Sequence, residues 1–302
     1  MEKGHIKLTE RGQDMDHSNR SSPKSARRPC HRYRQDFFMT GIWKYQEMLL
    51  VDAGNTFIKW ALTHAERPFA PGSVVWKEFG AVRHHDLSSL KNTWQDLHRK
   101  SPFERVIISN VAGQNLGNTL FEFLTSLEPR PQKIDWFYSA PSLAGVQNTY
   151  LDYRKLGSDR FASMVGARGL FPEQALIVVT AGTATTIDAL TPDGTFMGGM
   201  ILPGLKLMAE SLAQNTAQLP EVSQNNAGIS CFANETGNAI ISGCINAQAG
   251  AIERAVTDHG KHFDNIQCLL SGGAARYIAP NLSIPYRIVD NLVLIGLHRS
   301  SI

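Results

Sequence analysis

A chain of 302 residues that is 42% hydrophobic can bury a sizeable core, and its length suits two domains of ordinary size. The formal charge of +3 is unevenly placed: residues 1–48 carry ten Lys and Arg against six Asp and Glu, leaving −1 for the rest. The body is nearly neutral and offers no broad basic surface to nucleic acid, and no apolar run approaches the roughly 18 residues that span a bilayer.

Residues 1–47 are mostly polar, and Ser18 to Pro29 hold too few apolar side chains to offset the entropy of ordering. Disorder is expected there. The segment is basic and serine-rich in its middle, but Glu2, Glu10, Asp14 and Asp16 suit neither a nucleic-acid arm nor a transit peptide.

The stretch Leu49 to Leu62 runs apolar to a carboxylate, Asp52, turns through Gly54-Asn55-Thr56 and leaves as a second apolar run carrying Lys59. This reads as a β-hairpin with a polar tip. Gly54 and Asn55 tolerate positive φ, so backbone N–H groups can converge on a phosphate while Thr56 adds a hydroxyl. Asp52 can hold a magnesium ion through water, and Lys59 can neutralise a phosphate as a point charge. Taken alone, the stretch is as well read as an ordinary hairpin.

Asp86 to Lys100 follows as a helix, with Leu87, Leu90, Trp94, Leu97 and His98 near one face. Arg105 to Val111 reads as a buried strand, Gln114 to Leu127 as a helix and Asp135 to Tyr138 as another strand, an alternation expected of a mixed sheet with helices on its faces. Gly157-Ser158-Asp159-Arg160 opens a helix running to Leu170, where Ser158 or Asp159 is first read as a cap. Ile177 to Leu190 then repeats the hairpin design around Gly182-Thr183, 128 residues on, and a third glycine turn stands at Ser271-Gly272-Gly273. Three strand–glycine-turn units suggest a nucleotide held between two similar halves. Helices are expected at Leu205 to Ala213 and Ile240 to Val256. Cys30, Cys231, Cys244 and Cys268 have no zinc-ligand spacing and read as free buried thiols of a soluble, cytosolic protein.

These motifs resemble the type III pantothenate kinases, of the superfamily that holds acetate kinase, sugar kinases and actin. The residues that carry the resemblance are Asp52-Ala53-Gly54-Asn55-Thr56 with Lys59, Gly157-Ser158-Asp159-Arg160, Gly182-Thr183-Ala184-Thr185-Thr186, Gly198 to Gly204, Asn234-Glu235-Thr236, Ser271-Gly272-Gly273 and the closing Asn291 to Leu297. The resemblance implies an α/β protein of two actin-like (ribonuclease H-like) domains, 48–165 and 166–302, with mixed sheets flanked by helices and the nucleotide in the cleft between them. It implies ATP-dependent phosphorylation of pantothenate, the first step of coenzyme A synthesis, with magnesium arriving on the nucleotide. Asp159 is then the general base. Asp52, Gly54, Asn55, Thr56, Lys59, Thr183, Gly272 and Gly273 serve ATP, and Tyr150, Gly157, Ser158, Asp159, Arg160 and Thr236 serve pantothenate. From sequence alone Tyr150 reads equally as a rim aromatic, and Thr236 as a loop or N-cap threonine.

The family also implies a homodimer, formed through the second half, where Ala239, Ser242, Gly243, Ala247, Gly250 and Ala251 let helices approach closely; an internal core helix fits those residues as well. Family members usually begin just before the first strand, which makes Met48 a candidate initiator. The resemblance also implies a monovalent cation, potassium or ammonium; one departure is Thr180, which stands where an aspartate associated with that ion is common, and a hydroxyl ligates it more weakly because it brings no charge. Two other classes stay open: a transcription-affecting accessory protein on the same fold, as some relatives are named, and a kinase of another small hydroxyl compound.

Overall fold

The computed structural model describes residues 47–64, 76–215 and 230–302. The disorder expected for residues 1–46, and Cys30 with it, lies outside the described residues.

The chain opens with β1 (Glu47–Ala53), β2 (Phe57–His64) and β3 (Glu78–Arg83), then a 3-10 turn at His84–Asp86, α1 (Leu87–Lys100), β4 (Arg105–Asn110), α2 (Gln114–Thr125) and β5 (Lys133–Phe137). They form a five-stranded sheet in the order β3-β2-β1-β4-β5, in which β1, β3, β4 and β5 run in one direction and β2 runs against them. The apolar run of β1 is unbroken because both faces are covered. Leu49 and Val51 pack with Leu90, Trp94 and Leu120 of the helices on one side, while Met48 and Leu50 point to the other.

The second part contains β6 (Ser142–Leu143), β7 (Val146–Asn148), α3 (Ser158–Leu170), β8 (Leu176–Ala181), β9 (Ala184–Leu190), β10 (Thr195–Pro203), α4 (Leu205–Asn215), α5 (Thr236–His259), β11 (Gln267–Ser271), α6 (Ala275–Ile278), β12 (Arg287–Ile288) and α7 (Leu292–Arg299). Its sheet is ordered β12-β11-β8-β9-β10-β7-β6. The run β10-β9-β8-β11-β12 repeats the plan of the first sheet, and the β6–β7 hairpin extends the β10 edge. This is the actin-like arrangement, and the repeated hairpin in the sequence is its trace.

Between the sheets lie α3 and α7. Phe161, Met164 and Val165 of α3 and Leu292, Leu294 and Ile295 of α7 share one core with Met48 and Leu50 of the first sheet and Val178 and Leu269 of the second. α3 is buried on nearly all sides, and apart from Asp159, Arg160 and Arg168 it carries apolar and small residues all round. The two helices meet almost backbone to backbone: a Cβ on Gly296 would stand 1.8 Å from the Ala162 carbonyl oxygen, and one on Gly166 2.6 Å from that of Leu292. A domain boundary between residues 165 and 166 falls inside α3. The second sheet's other face packs Ile177 and Val179 against Leu205 of α4 and Ile241, Cys244, Ile245 and Ile252 of α5.

Candidate active site

The tips of the two equivalent hairpins touch. Thr56 Oγ1, after β1, lies 2.8 Å from Thr183 Oγ1, after β8. Each turn is closed alike, by the Gly54 N–H donating to the Phe57 carbonyl at 3.1 Å and the Gly182 N–H to that of Ala184 at 2.9 Å. Neither Gly54 nor Asn55 uses the positive φ it tolerates. The left-handed conformation is used at the third turn instead. There Gly272 has a φ of 93° and passes so close to β8 that a Cβ would meet the Ala181 carbonyl oxygen at 2.3 Å. Gly273 beside it borders open space, with no atom within 4 Å of where a Cβ would stand. On the other flank His84 Nε2 bonds the Gly54 carbonyl at 2.7 Å, a support that no sequence motif announced.

Below the tips lie two carboxylates. Asp52 is paired in register with Lys59 on β2 and with Ser109 on β4. Burial pushes its carboxyl up to about 7; Lys59 opposes the shift and the charge of Asp159 adds to it. Asp159 sits in the first turn of α3, where the helix's unpaired N–H groups favour negative charge. It too is raised by burial, against the Arg160 N–H that its Oδ1 accepts at 2.8 Å. Ser158 is not a cap. Its hydroxyl lies 2.8 Å from that of Ser109, fastening the start of α3 to β4 beside Asp52.

Arg160 turns the other way. Its Nε donates to Asp188 Oδ2 at 3.3 Å and its Nη2 to Oδ1 at 2.5 Å, with Arg160 7% and Asp188 1% exposed. Burial works to lower the Arg160 pKa, but Asp188 and a hydrogen bond with Tyr150 outweigh it and hold it raised. Burial pushes the Asp188 carboxyl up, with Arg160 opposing. Tyr150, 38% exposed, stacks on Phe196 with ring centroids 6.2 Å apart. Asp188 was missed by motif reading, although a carboxylate within Thr186-Ile187-Asp188-Ala189-Leu190, on a strand otherwise suited to burial, is a signal.

Thr236 stands at the first residue of α5 and is exposed; the cap is Glu235, whose carboxylate accepts from the Gly237 and Asn238 N–H groups at 2.8 and 2.9 Å. Among the described residues nothing joins Thr236 to Asp159, Arg160 or Tyr150. Thr180 Oγ1 donates to Ser163 Oγ at 3.4 Å, and its register partners are Thr186 and Ser271, all hydroxyl residues. Another unforeseen side chain is Gln248 of α5. Fully buried, it accepts from Thr185 at 2.8 Å and donates to the Pro203 carbonyl at 2.9 Å, tying the second hairpin to the helix. The cysteine expectation needs one correction: Cys244 and Cys268 are free and buried, but Cys231 is exposed, lying before α5 begins. Burial pushes the Cys268 thiol up to about 12, so it carries no nucleophile at neutral pH.

Residues 48–258 match the family described as type III pantothenate kinase. A type III pantothenate kinase of Janthinobacterium sp. (strain Marseille) is 52% identical over 259 residues, covering 84% of this chain and 97% of that protein. One of Herminiimonas arsenicoxydans is 50% identical over 258 residues, again 84% and 97%. Among solved structures, a Baf-family protein from Campylobacter jejuni superposes with a TM-score of 0.51 at 17% identity, covering 82% of this chain and 94% of that one; a likeness at that identity speaks for the fold alone. The paired hairpins and the helix that opens on Asp159 and Arg160 thus lie within a match that runs nearly the full length of those relatives, and the chain belongs to the type III pantothenate kinases.

Proposed function

We propose that this chain transfers the γ-phosphoryl group of ATP to the primary hydroxyl of pantothenate, giving 4′-phosphopantothenate and ADP at the entry to coenzyme A synthesis. The observation that carries this reading is the 52% identity to a type III pantothenate kinase over 97% of that protein's length. The geometry suits the chemistry. The Thr56 and Thr183 hydroxyls meet where the two hairpin tips touch, and with the third glycine turn beside β8 they supply polar groups suited to phosphate. Lys59 adds charge. Asp159 accepts the hydroxyl proton as that oxygen bonds to the γ-phosphorus and the bond to the ADP oxygen breaks. Arg160 and Tyr150 take the pantothenate carboxylate.

Among the described residues no group of three or more His, Cys, Asp or Glu forms a metal cage. The single carboxylate of Asp52 at the tip suits a magnesium ion that enters as part of the nucleotide and offsets phosphate charge. The family implies a potassium or ammonium ion, and the neutral hydroxyls of Thr180, Ser163, Thr186 and Ser271 would hold one more weakly than a carboxylate does. A homodimer is favoured by the face of α5 that leaves Ala239, Gly243, Ala247 and Gly250 exposed, beside a β10 strand exposing Met197, Met200 and Ile201; Thr236, at the start of that helix, would reach a substrate across such an interface. No helix among the described residues is long and apolar enough to cross a membrane, which fits the cytoplasmic location expected of the substrate and nucleotide.

The test is ADP release by the full chain with ATP and magnesium, with and without pantothenate, and with potassium or sodium as the salt. Release that requires pantothenate is expected, and the comparison of the two salts reads the effect of Thr180 on the cation requirement. Pantothenate-independent silence from folded protein would turn attention to another hydroxyl substrate or to a regulatory role.

A further inference from the structure

Arg160 is read as a substrate contact, yet its Nε and Nη2 donors are spent inside the protein. The Nε and Nη2 groups form a two-point fork on Asp188, the arrangement that otherwise suits a substrate carboxylate. We propose that Asp188 is a positioning residue: it holds the guanidinium turned so that only its remaining edge, with Tyr150, faces the cleft, and thereby sets the preference for a substrate that ends in a carboxylate. This rests on the reading of Arg160 as the group that meets the pantothenate carboxylate.

Three observations carry it. Asp188 is 1% exposed, so it acts on a substrate only through its neighbours, and Arg160 is the neighbour that engages both of its carboxylate oxygens. The space for the pair is cleared by Gly199, its register partner on β10: a Cβ there would stand 2.2 Å from Asp188 Oδ1 and 2.6 Å from Arg160 Nη2. Lastly, a buried ion pair returns little net stability against the desolvation of both charges. A fork that joins the third residue of α3 to the middle of β9 therefore makes better sense as orientation than as a strut. It fixes the side chain next to Asp159, so the groups for the two ends of one substrate are set from neighbouring positions.

The test compares pantothenate with pantothenyl alcohol, in which the carboxylate is replaced by a neutral hydroxymethyl group, on wild type, Asp188→Asn, Arg160→Ala and the double variant. Asn presents N–H donors where the guanidinium requires an acceptor, so the fork is broken at constant volume. The expected result is a rise of about tenfold in KM for pantothenate with kcat changed far less, and little change for the alcohol. Asp188→Asn should add nothing to Arg160→Ala. If Arg160→Ala raises the pantothenate KM and Asp188→Asn does not, or raises it equally for both substrates, the positioning role is overturned. If Arg160→Ala leaves the preference unchanged, the reading of Arg160 itself fails. Should the Asn variant not fold, Asp188→Glu, which keeps the charge and displaces the guanidinium by a methylene, is read by the same ratio of kcat/KM values.

Discussion

Thr56 and Thr183, 127 positions apart in the chain, share a hydrogen bond of 2.8 Å between hydroxyls at equivalent points of two repeated hairpins. In an exposed setting such a bond contributes little to folding. Its value lies in holding two phosphate-facing turns at a fixed separation before the nucleotide arrives. Thr56→Val and Thr183→Val should each raise the KM for ATP about five- to tenfold, roughly 1 kcal/mol, while melting temperatures move by no more than about 2 °C. The double variant should fall short of the product of the two effects, because each single change already breaks the shared bond. Fully multiplicative effects would show that the two hydroxyls act separately.

Asp159→Asn removes the proton acceptor and keeps the shape. Turnover should fall by about two to four orders of magnitude. Because burial already disfavours the charged carboxylate, the melting temperature should stay level or rise, and a thermal melt beside the ADP assay separates lost chemistry from lost fold. Near-normal turnover would remove Asp159 from the role of base.

Asp52 links stability to pH. Its carboxyl, at about 7 in the folded chain against an ordinary value of 3.8, keeps a proton between those limits that the unfolded chain has already released. The folded state therefore binds more protons in this window, and stability falls as pH rises through it. Melts of wild type and Asp52→Asn from pH 4.5 to 8 should diverge, the variant gaining relative stability toward pH 8. A constant difference across the range would contradict the shift. The same variant should lose affinity for magnesium-bound ATP, which needs the ionised carboxylate.

Gly199→Ala forces a methyl group into the Arg160–Asp188 fork. With backbone and a buried ion pair on either side there is no flexible end to yield, so a loss of about 2–4 kcal/mol in unfolding free energy is expected, measured by denaturant titration. Any folded enzyme that survives should show a raised KM for pantothenate.

Gly243 of α5 borders open space in the single chain, with no atom within 4 Å of a Cβ there. Gly243→Leu should therefore fold with an unchanged or slightly raised melting temperature, since it also removes a helix-interior glycine. In a dimer packed on that face it should halve the particle mass seen by light scattering. An unaltered mass would move the interface elsewhere.

Much of this architecture is legible in the chain because it is written twice. The runs at 49–62 and 177–190 announce their hairpins, and the glycine turns name their tips, because turn chemistry is local. The helices were found with ends displaced by a few residues, since Thr236 to His259 begins at a Glu235 cap that hydrophobic periodicity does not register. What was illegible depends on distance. Nothing in the order of residues says that Arg160 meets Asp188, that His84 supports Gly54 or that Gln248 ties Thr185 to Pro203, because each is a polar contact between segments brought together only by the sheets. Nor does the sequence say which conformation the tip takes: Gly54 and Asn55 permit the left-handed region, but neither uses it.

The close contact of α3 with α7 has a consequence for how the enzyme is made. The helix bearing Asp159 and Arg160 emerges from the ribosome well before residues 292–299, and until they follow, the groove around Gly166 and Ala162 has no partner. Hydrophobic surface on α3 stays uncovered through the synthesis of the whole second sheet, so nascent chains should gain protease resistance and activity together, late, once α7 has been released. A protein built this way completes the packing of α3 as one of its last acts of folding.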